Sequence, residues 1–429
     1  MPKNLADSAQ TEVSFPLHIA GNLGGCFIGI PAMNVHARAL IDRAPGVHAD
    51  SPAVVRALNP RQPLFCFSPQ ALRAAVAGFR QGFPGEVSYA VKANGAPSVV
   101  AAVADAGIGV FDVASVAEMD VVAAAAPGAR LHYHNPVKSR HEIAEAFAVH
   151  GCRRFALDDV GELAKILEVL AAVPNLELAV RFRLPSHGAA AHDFSTKFGA
   201  DPQGAVDLLR LVARAGHRPV LTFHPGSQCT DPKAYARYIE AAGEIAHAAG
   251  VRLAALNVGG GFPATYRDSV APPLSEFFAM IAASAGAFGN GERPPLECEP
   301  GRGLVATSMS LLTRVKLVKP SRRELYLNDG IYGALMEMSQ APALAPHCRV
   351  LRGGMVHGGP VQRFTAYGPT CDPLDRIPGE LTLPADIAED DFIEFSTVGA
   401  YGAATATRFN GYGSAGMVLV EDGFVSSES

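Results

Sequence analysis

A chain of 429 residues exceeds one average domain, and its 48% hydrophobic content supports a large core, which fits a barrel plus a smaller domain. With 18% charged residues, a net charge of −5 and no long Lys/Arg block, it is neither a disordered nor a fibrous chain, and neither nucleic acid nor an anionic membrane surface is expected as a partner. No uncharged apolar run reaches the ~18 residues of a membrane span, the start lacks an apolar signal-peptide core, and seven scattered cysteines without a C-x-x-C pair read as reduced thiols, so the cytoplasm is the expected compartment.

Residues 1–61 are rich in Gly, Pro and Ala and read as an arm packing with a C-terminal domain. Residues 35–42 have amphipathic helical spacing, while the cluster Gly21, Gly24, Gly25 and Gly29 lacks the Lys-Ser/Thr of a P-loop. Leu64–Phe67 reads as a strand, and Ser68-Pro69 opens a helix with Ser as N-cap and Pro as its first residue. From residue 87 the chain alternates apolar runs with Ala/Leu/Val segments of helical spacing. The strands are expected at 87–91, 110–113, 131–134, 154–157, 177–183, 220–224, 255–258 and 296–299. Several intervening helices open with Ser or Asp at the N-cap position. Eight such units predict a closed parallel (β/α)8 TIM-like barrel over 62–303, with an open doubly wound sheet as the alternative. Beyond 303 the texture changes to strand-like runs at 311–318, 324–328, 392–395 and 417–420 between Gly/Pro turns, which predicts a mainly antiparallel β domain over 304–429.

Catalytic groups of such barrels gather at the C-terminal strand ends. Here those ends carry Lys92, Asp112, Asn135, Asp158, Arg181, His224 with Ser227, Gly259-Gly260-Gly261, and Glu299 with Arg302. An amine in a partly apolar mouth can act as a nucleophile and form a Schiff base. Consecutive glycines expose N–H groups that can cradle a phosphate, to which Arg302 adds a planar fork and Ser227 a hydroxyl. His224 can stack on a flat ring, and a fixed carboxylate, Glu299, can hold a pyridine nitrogen protonated. Each feature alone has a plainer reading, a capping lysine or a tight turn. Together they meet the requirements of pyridoxal 5′-phosphate (PLP). His132 and His134, two apart on one strand face, could suggest a metal pair but lack an apparent third ligand; they read as structural or site-lining, and no metal is expected.

The motifs Tyr89-Ala90-Val91-Lys92-Ala93-Asn94, Phe111-Asp112-Val113-Ala114-Ser115, His224-Pro225-Gly226-Ser227-Gln228, Gly259-Gly260-Gly261-Phe262-Pro263, Glu299-Pro300-Gly301-Arg302, Asn328-Asp329-Gly330-Ile331-Tyr332-Gly333, Gly368-Pro369-Thr370-Cys371-Asp372, Gly399-Ala400-Tyr401-Gly402 and Phe409-Asn410-Gly411 follow one another over roughly residues 60–415. In this order the sequence resembles the fold-type III PLP-dependent amino-acid decarboxylases, the ornithine/lysine/diaminopimelate/arginine decarboxylase family, whose barrel is alanine-racemase-like. The resemblance implies Lys92 as the Schiff-base lysine. It implies a phosphate pocket of Gly260, Gly261, Ser227, Arg302 and Tyr401, His224 on the cofactor ring, and Glu299 at the ring nitrogen. Asp112 would lie near Lys92, and Arg181 near the ring. Cys371 would come from the partner subunit and protonate the substrate carbon after carbon dioxide leaves, which implies a homodimer with shared sites. Asp329 and Asp372, with Tyr332, would bind the substrate's distal amine.

Two carboxylates suit an ammonium and would repel a distal carboxylate. The expected reaction is therefore decarboxylation of L-ornithine to putrescine, in polyamine biosynthesis. L-lysine to cadaverine is second, and another amine-bearing acid or a siderophore conjugate remains open. The segment 185–197 and Gln228 depart from the eukaryotic ornithine enzymes. A racemase would place an arginine against the pyridine nitrogen, which Glu299 opposes. An inactive regulatory homologue would be expected to lose Lys92, Cys371 or Asp329, and all three are present.

Overall fold

The computed structural model describes residues 46–185, 190–192, 197–286, 288, 293–414 and 416–424. The expected helix at 35–42, the glycines at 21–29 and most of 185–197 lie outside these residues.

Eight parallel strands close into a barrel. The first is split into Glu86–Val87 and Tyr89–Ala90; Val110–Val113, Arg130–Tyr133, Arg154–Leu157, Glu177–Arg181, Arg218–Thr222, Ala255–Asn257 and Leu296–Cys298 follow. Closure runs through the split strand, since Val87 pairs with Cys298 on one side and Tyr89 with Phe111 on the other. At the break, Ser88 donates both its N–H (2.9 Å) and its hydroxyl (3.0 Å) to the Cys298 carbonyl. All eight strands expected from the alternation are present. Their apolar texture follows from burial on both faces, which parallel barrels require.

The period of two assigns the faces. Phe111, Leu131, Tyr133, Phe155, Leu178, Leu221 and Leu256 belong to the main apolar core between strands and helices. Ala156, Ala179, Val220 and Ala255, on the opposite parity, form a separate cluster of small side chains in the lumen. The remaining lumen is polar. Arg154 on the fourth strand pairs with Glu297 on the eighth, a contact that can only be made across the barrel. Arg154 also reaches Glu177 at 2.7 Å. The expected N-caps are made: Ser68, Ser115, Ser139, Asp159, Asp201 and Asp231 each accept a backbone N–H of the following first turn, contributing about 1 kcal/mol apiece.

The second domain is built on Met309–Lys319, an 11-residue strand. It pairs antiparallel with Phe392–Phe395 and Glu324–Leu327. Cys348–Arg352, Met355–His357, Val361–Tyr367 and Leu381–Pro384 extend the sheet. These four carry charged or Gly-flanked segments that gave no strand signal. Two pairings in the sheet are parallel, Phe65 with Met417 and Glu324 with Thr365.

One boundary changes. Leu64–Phe67, expected at the head of the barrel domain, pairs instead with Met309–Lys319 and Met417–Leu419. All four of its residues are buried. Leu64 and Cys66 face Val54, Val55, Leu312 and Leu351, whereas Phe65 and Phe67 enter the main core. Its two apolar faces are thus buried in two different cores. The helix Ser51–Leu58 covers one of those cores through Val54 and Val55, so the described part of the N-terminal arm packs on the β domain. Among the described residues no helix is long and apolar enough to cross a membrane.

Candidate active site at the mouth of the barrel

Lys92 lies just past the first strand, in a single 3₁₀ turn, Val91–Ala93, rather than on the strand itself. The β domain fixes this turn. Tyr401 donates its N–H to the Ala93 carbonyl at 2.8 Å, and the buried Asn94 side chain donates to the Gly399 carbonyl at 2.8 Å. Tyr401 has φ +60°, a left-handed conformation that costs a non-glycine residue about 1 kcal/mol or more. With its backbone so placed, Lys92 keeps 40% of its side chain exposed, and Nζ stands 3.5 Å from Oδ2 of buried Asp112 on the second strand. Burial favours the neutral amine, but Asp112 and then Glu299 reverse this and hold the ammonium above its ordinary pKa. Burial and the neighbouring Glu299 raise Asp112, against the pull of Lys92.

Glu299, just past the eighth strand, is buried and accepts two hydrogen bonds on one oxygen: His134 Nδ1 to Oε2 at 2.7 Å and Asn257 Nδ2 to Oε2 at 3.1 Å. Burial alone would push its carboxyl up; His134, then Lys92 and His224, more than offset this and hold it down to about 2. His134 Nδ1 also lies 3.7 Å from Asp112 Oδ1. Asp112, His134 and Glu299 thus bring three ligand-capable atoms within 4.8 Å, a set that could hold a metal ion. The spacing on the strand had shown a pair, His132 and His134, without a third ligand. Both remaining groups come from other strands, which a linear motif cannot reveal, and His132 is not part of the trio.

His224 follows the sixth strand, and its Nδ1 accepts the Gly226 N–H at 3.1 Å. Burial, then Lys92 and Arg181, push its pKa down to about 3, so the ring is neutral at pH 7. Arg181 ends the fifth strand, with its guanidinium 5.6 Å from the Phe198 ring. Gly259-Gly260-Gly261 ends the seventh. A Cβ on Gly260 would stand 2.7 Å from the Glu299 carbonyl oxygen and 3.2 Å from His224 Nε2. One on Gly261, at φ +90°, would press into the Gly226 carbonyl. The glycines are therefore required by close backbone approach.

Arg302 is buried beside them. It pairs with Glu337, contacts the Tyr266 hydroxyl, donates to Ser227 Oγ at 3.4 Å and lies 5.0 Å from the Tyr401 ring centre. Its Nε is buried and has no hydrogen-bond partner. Sequence reasoning missed Glu337, Tyr266 and Asn257. Only Asn257 had a signal, the inward parity of its strand. Gln228 has a structural explanation: it sits at φ +56°, where glycine is favoured, but its amide donates to the Ala264 carbonyl at 2.6 Å and accepts the Ala264 N–H at 3.0 Å. Two buried bonds of about 1 kcal/mol each offset the strain.

Asp329, Tyr332, Cys371 and Asp372 gather elsewhere, in the loops of the β domain. Asp329 is buried and accepts the N–H groups of Gly330 (3.0 Å) and Ala334 (3.2 Å); burial pushes its carboxyl up to about 6. Tyr332 donates its hydroxyl to Asp372 at 2.6 Å. Cys371 is exposed, with its N–H 3.2 Å and its thiol 3.4 Å from Asn410 Oδ1. Asp375, which sequence reasoning did not single out, ties the loops together by accepting from Ile331 and Thr370. No hydrogen bond or ion pair among the described residues joins Cys371 or Asp372 to the Lys92–Glu299 cluster. The segment 186–189 and 193–196, expected to set substrate length, lies outside the described residues.

The barrel groups suit PLP on their own geometry. The orphaned Arg302 Nε beside Ser227 and the glycine cradle fit a phosphate, neutral His224 fits the face of a ring, and Glu299 keeps Oε1 outside its two bonds for a ring nitrogen. Residues 70–306 match the family model described as the pyridoxal binding domain of pyridoxal-dependent decarboxylases. The chain is 31% identical over 344 residues to the lysine/ornithine decarboxylase of Selenomonas ruminantium, covering 78% of this chain and 84% of the relative. It is likewise 31% identical to decarboxylase flvG of Aspergillus flavus, covering 76% and 77%. The structure of a Vibrio vulnificus lysine/ornithine decarboxylase complexed with putrescine superposes with a TM-score of 0.74 at 27% identity, covering 86% of this chain and 96% of that one.

Proposed function

The chain belongs to the pyridoxal-dependent decarboxylases and is a PLP-dependent carboxy-lyase; from that premise we propose that it converts L-ornithine to putrescine in polyamine biosynthesis, with L-lysine to cadaverine as the alternative reading. The observation that carries this reading is the convergence of Lys92, Asp112 and Glu299 from three strands on one mouth, with the carboxylates of Asp329 and Asp372 in the loops of the β domain.

Bound PLP supplies an electron-poor ring that accepts the electron pair left when the bond to the α-carboxylate breaks. Lys92 provides the amine that holds the cofactor. Asp112, 3.5 Å away, pairs with its ammonium and fixes Nζ at the mouth. Gly260, Gly261, Ser227, Arg302 and Tyr401 hold the phosphate, His224 and Arg181 flank the ring, and Glu299 holds the ring nitrogen in its protonated form. Cys371 delivers the proton to Cα, and Asp329, Asp372 and Tyr332 receive the distal amine. Cys371 is exposed on a loop whose contacts stay in the β domain, which supports its use in the barrel mouth of a second subunit, and hence a homodimer; the free thiols of the described cysteines support the cytoplasm as its compartment.

Purified protein loaded with PLP and offered L-ornithine, L-lysine, L-arginine and diaminopimelate is expected to release carbon dioxide and a diamine fastest from ornithine. Faster turnover of diaminopimelate would overturn the assignment of Asp329 and Asp372 to an amine.

A further inference from the structure

Glu299 is reached by a side chain that no part of the reading above uses. His134 lies just past the third barrel strand and Glu299 just past the eighth, three strands apart around the barrel, so the 2.7 Å bond to Oε2 crosses the lumen. A carboxylate can only accept, which makes His134 Nδ1 the donor. Asn257 donates to the same oxygen from the seventh strand. The two bonds together fix the carboxylate's rotation, and they leave Oε1 as the oxygen free to face a ring nitrogen.

His134 is itself braced. His132 lies under it, ring centres 5.5 Å apart, and His132 Nδ1 faces Arg154 Nη1 at 3.4 Å. Burial and then Arg154 push His132 well below its ordinary pKa, so it stays neutral and adds no charge beneath His134. The charged groups facing His134 are Asp112 at 3.7 Å, Glu299, and Lys92 beyond Asp112. His134 Nε2 is buried with no hydrogen-bond partner, a cost that the strand tolerates while Nδ1 serves Glu299.

We propose that His134 is a positioning residue that holds Glu299 as a carboxylate with Oε1 turned to the pyridine nitrogen of the cofactor. The proposal rests on the assignment of Glu299 to that nitrogen. Its physical content is a contest for one proton. In an apolar pocket a lone carboxyl tends to keep its own proton and leave the ring nitrogen bare; a short charge-assisted bond to Oε2 shifts the proton to the ring. His134 gives the shorter of the two bonds that Glu299 accepts, 2.7 Å against 3.1 Å from Asn257.

The test uses holoenzyme loaded with PLP labelled with ¹⁵N in the ring, and reads the nitrogen's chemical shift and the PLP dissociation constant at pH 7.5. Four proteins are compared: unaltered, His134→Asn, His134→Leu and Glu299→Gln. Asn Nδ2 occupies the same δ position as the imidazole donor, so His134→Asn is expected to keep the protonated shift and an unchanged dissociation constant. His134→Leu is expected to move the shift towards the unprotonated value and to weaken PLP binding about tenfold. Should the leucine variant not fold, as judged by circular dichroism, His134→Ala is read in its place. A protonated shift in His134→Leu alongside a moved shift in Glu299→Gln overturns the role of His134 and leaves Glu299's intact. Equal movement in the Asn and Leu variants also overturns it, because a filler and not a donor would then be at work. An unmoved shift in Glu299→Gln overturns both assignments.

Discussion

The barrel mouth and the loops of the β domain divide the proposed chemistry between them, and they are built on opposite principles. In the mouth, side chains from different strands meet, Lys92 with Asp112 and Glu299 with Asn257 between neighbours, Glu299 with His134 and Arg154 with Glu297 across the lumen. Apart from half-open Lys92, these groups are buried, and all are partnered within one chain. In the loops, Cys371 is exposed, Tyr332 meets Asp372 near the surface, and the bonds stay local. A preorganised, desolvated mouth suits the binding of a cofactor, whereas an exposed set of loops becomes a site only when something is laid against it.

Substitutions in the two regions should therefore fail differently. Lys92→Ala is expected to lose at least about a thousandfold in turnover, together with PLP that survives dialysis and the absorption band of lysine-linked PLP. Retention of that band would break the assignment of the mouth. Cys371→Ser should lose on the order of a hundredfold in kcat, the scale of one misplaced proton donor, while its PLP dissociation constant stays unchanged. A matching loss of cofactor would erase the distinction between the regions.

The pH dependence sharpens the same contrast. Asp329 has its carboxyl pushed up to about 6, so it is an anion only above that pH. If it receives the substrate ammonium, kcat/KM for ornithine should fall about tenfold per pH unit below 6, and Asp329→Asn should remove that limb. The linked stability has the opposite sense. A raised folded pKa gives stability that is complete below the ordinary 3.8 and is lost as pH rises through 6. Glu299, held down to about 2, contributes stability above its ordinary 4.5 that is lost only as the pH falls towards 2. Smallest in its effect on chemistry, Arg154→Ala leaves buried Glu297 without its cation, while Glu177 keeps Arg218, and should destabilise the barrel by about 3 kcal/mol, read as a lower Tm with PLP binding retained.

The two regions were also unequally legible in the sequence. Barrel strands are short, apolar on both faces and separated by capped helices, so Ser115, Ser139, Asp159, Asp201 and Asp231 mark helix starts that the structure keeps. Strand ends then locate Lys92, Asp112, Glu299 and His224. What stayed hidden depends on contacts across the lumen: strand parity puts His134 and Asn257 inside, but nothing in the linear order shows that both meet Glu299. The β domain was read less well because its strands are sheet extensions with charged faces, such as Cys348–Arg352 and Val361–Tyr367. Leu64–Phe67 is apolar on both faces, as barrel strands are, so nothing in its sequence shows that it joins the other sheet.

If the mouth of one subunit works with the loops of another, mixing two inactive variants restores activity. Lys92→Ala has intact loops and Cys371→Ser an intact mouth. After co-refolding in equal amounts, half of the dimers are mixed, and each has one site of two intact, so about a quarter of unaltered activity should return. Activity no greater than the average of the two variants measured separately would contradict the shared site and place Cys371 in the mouth of its own chain, or outside the reaction.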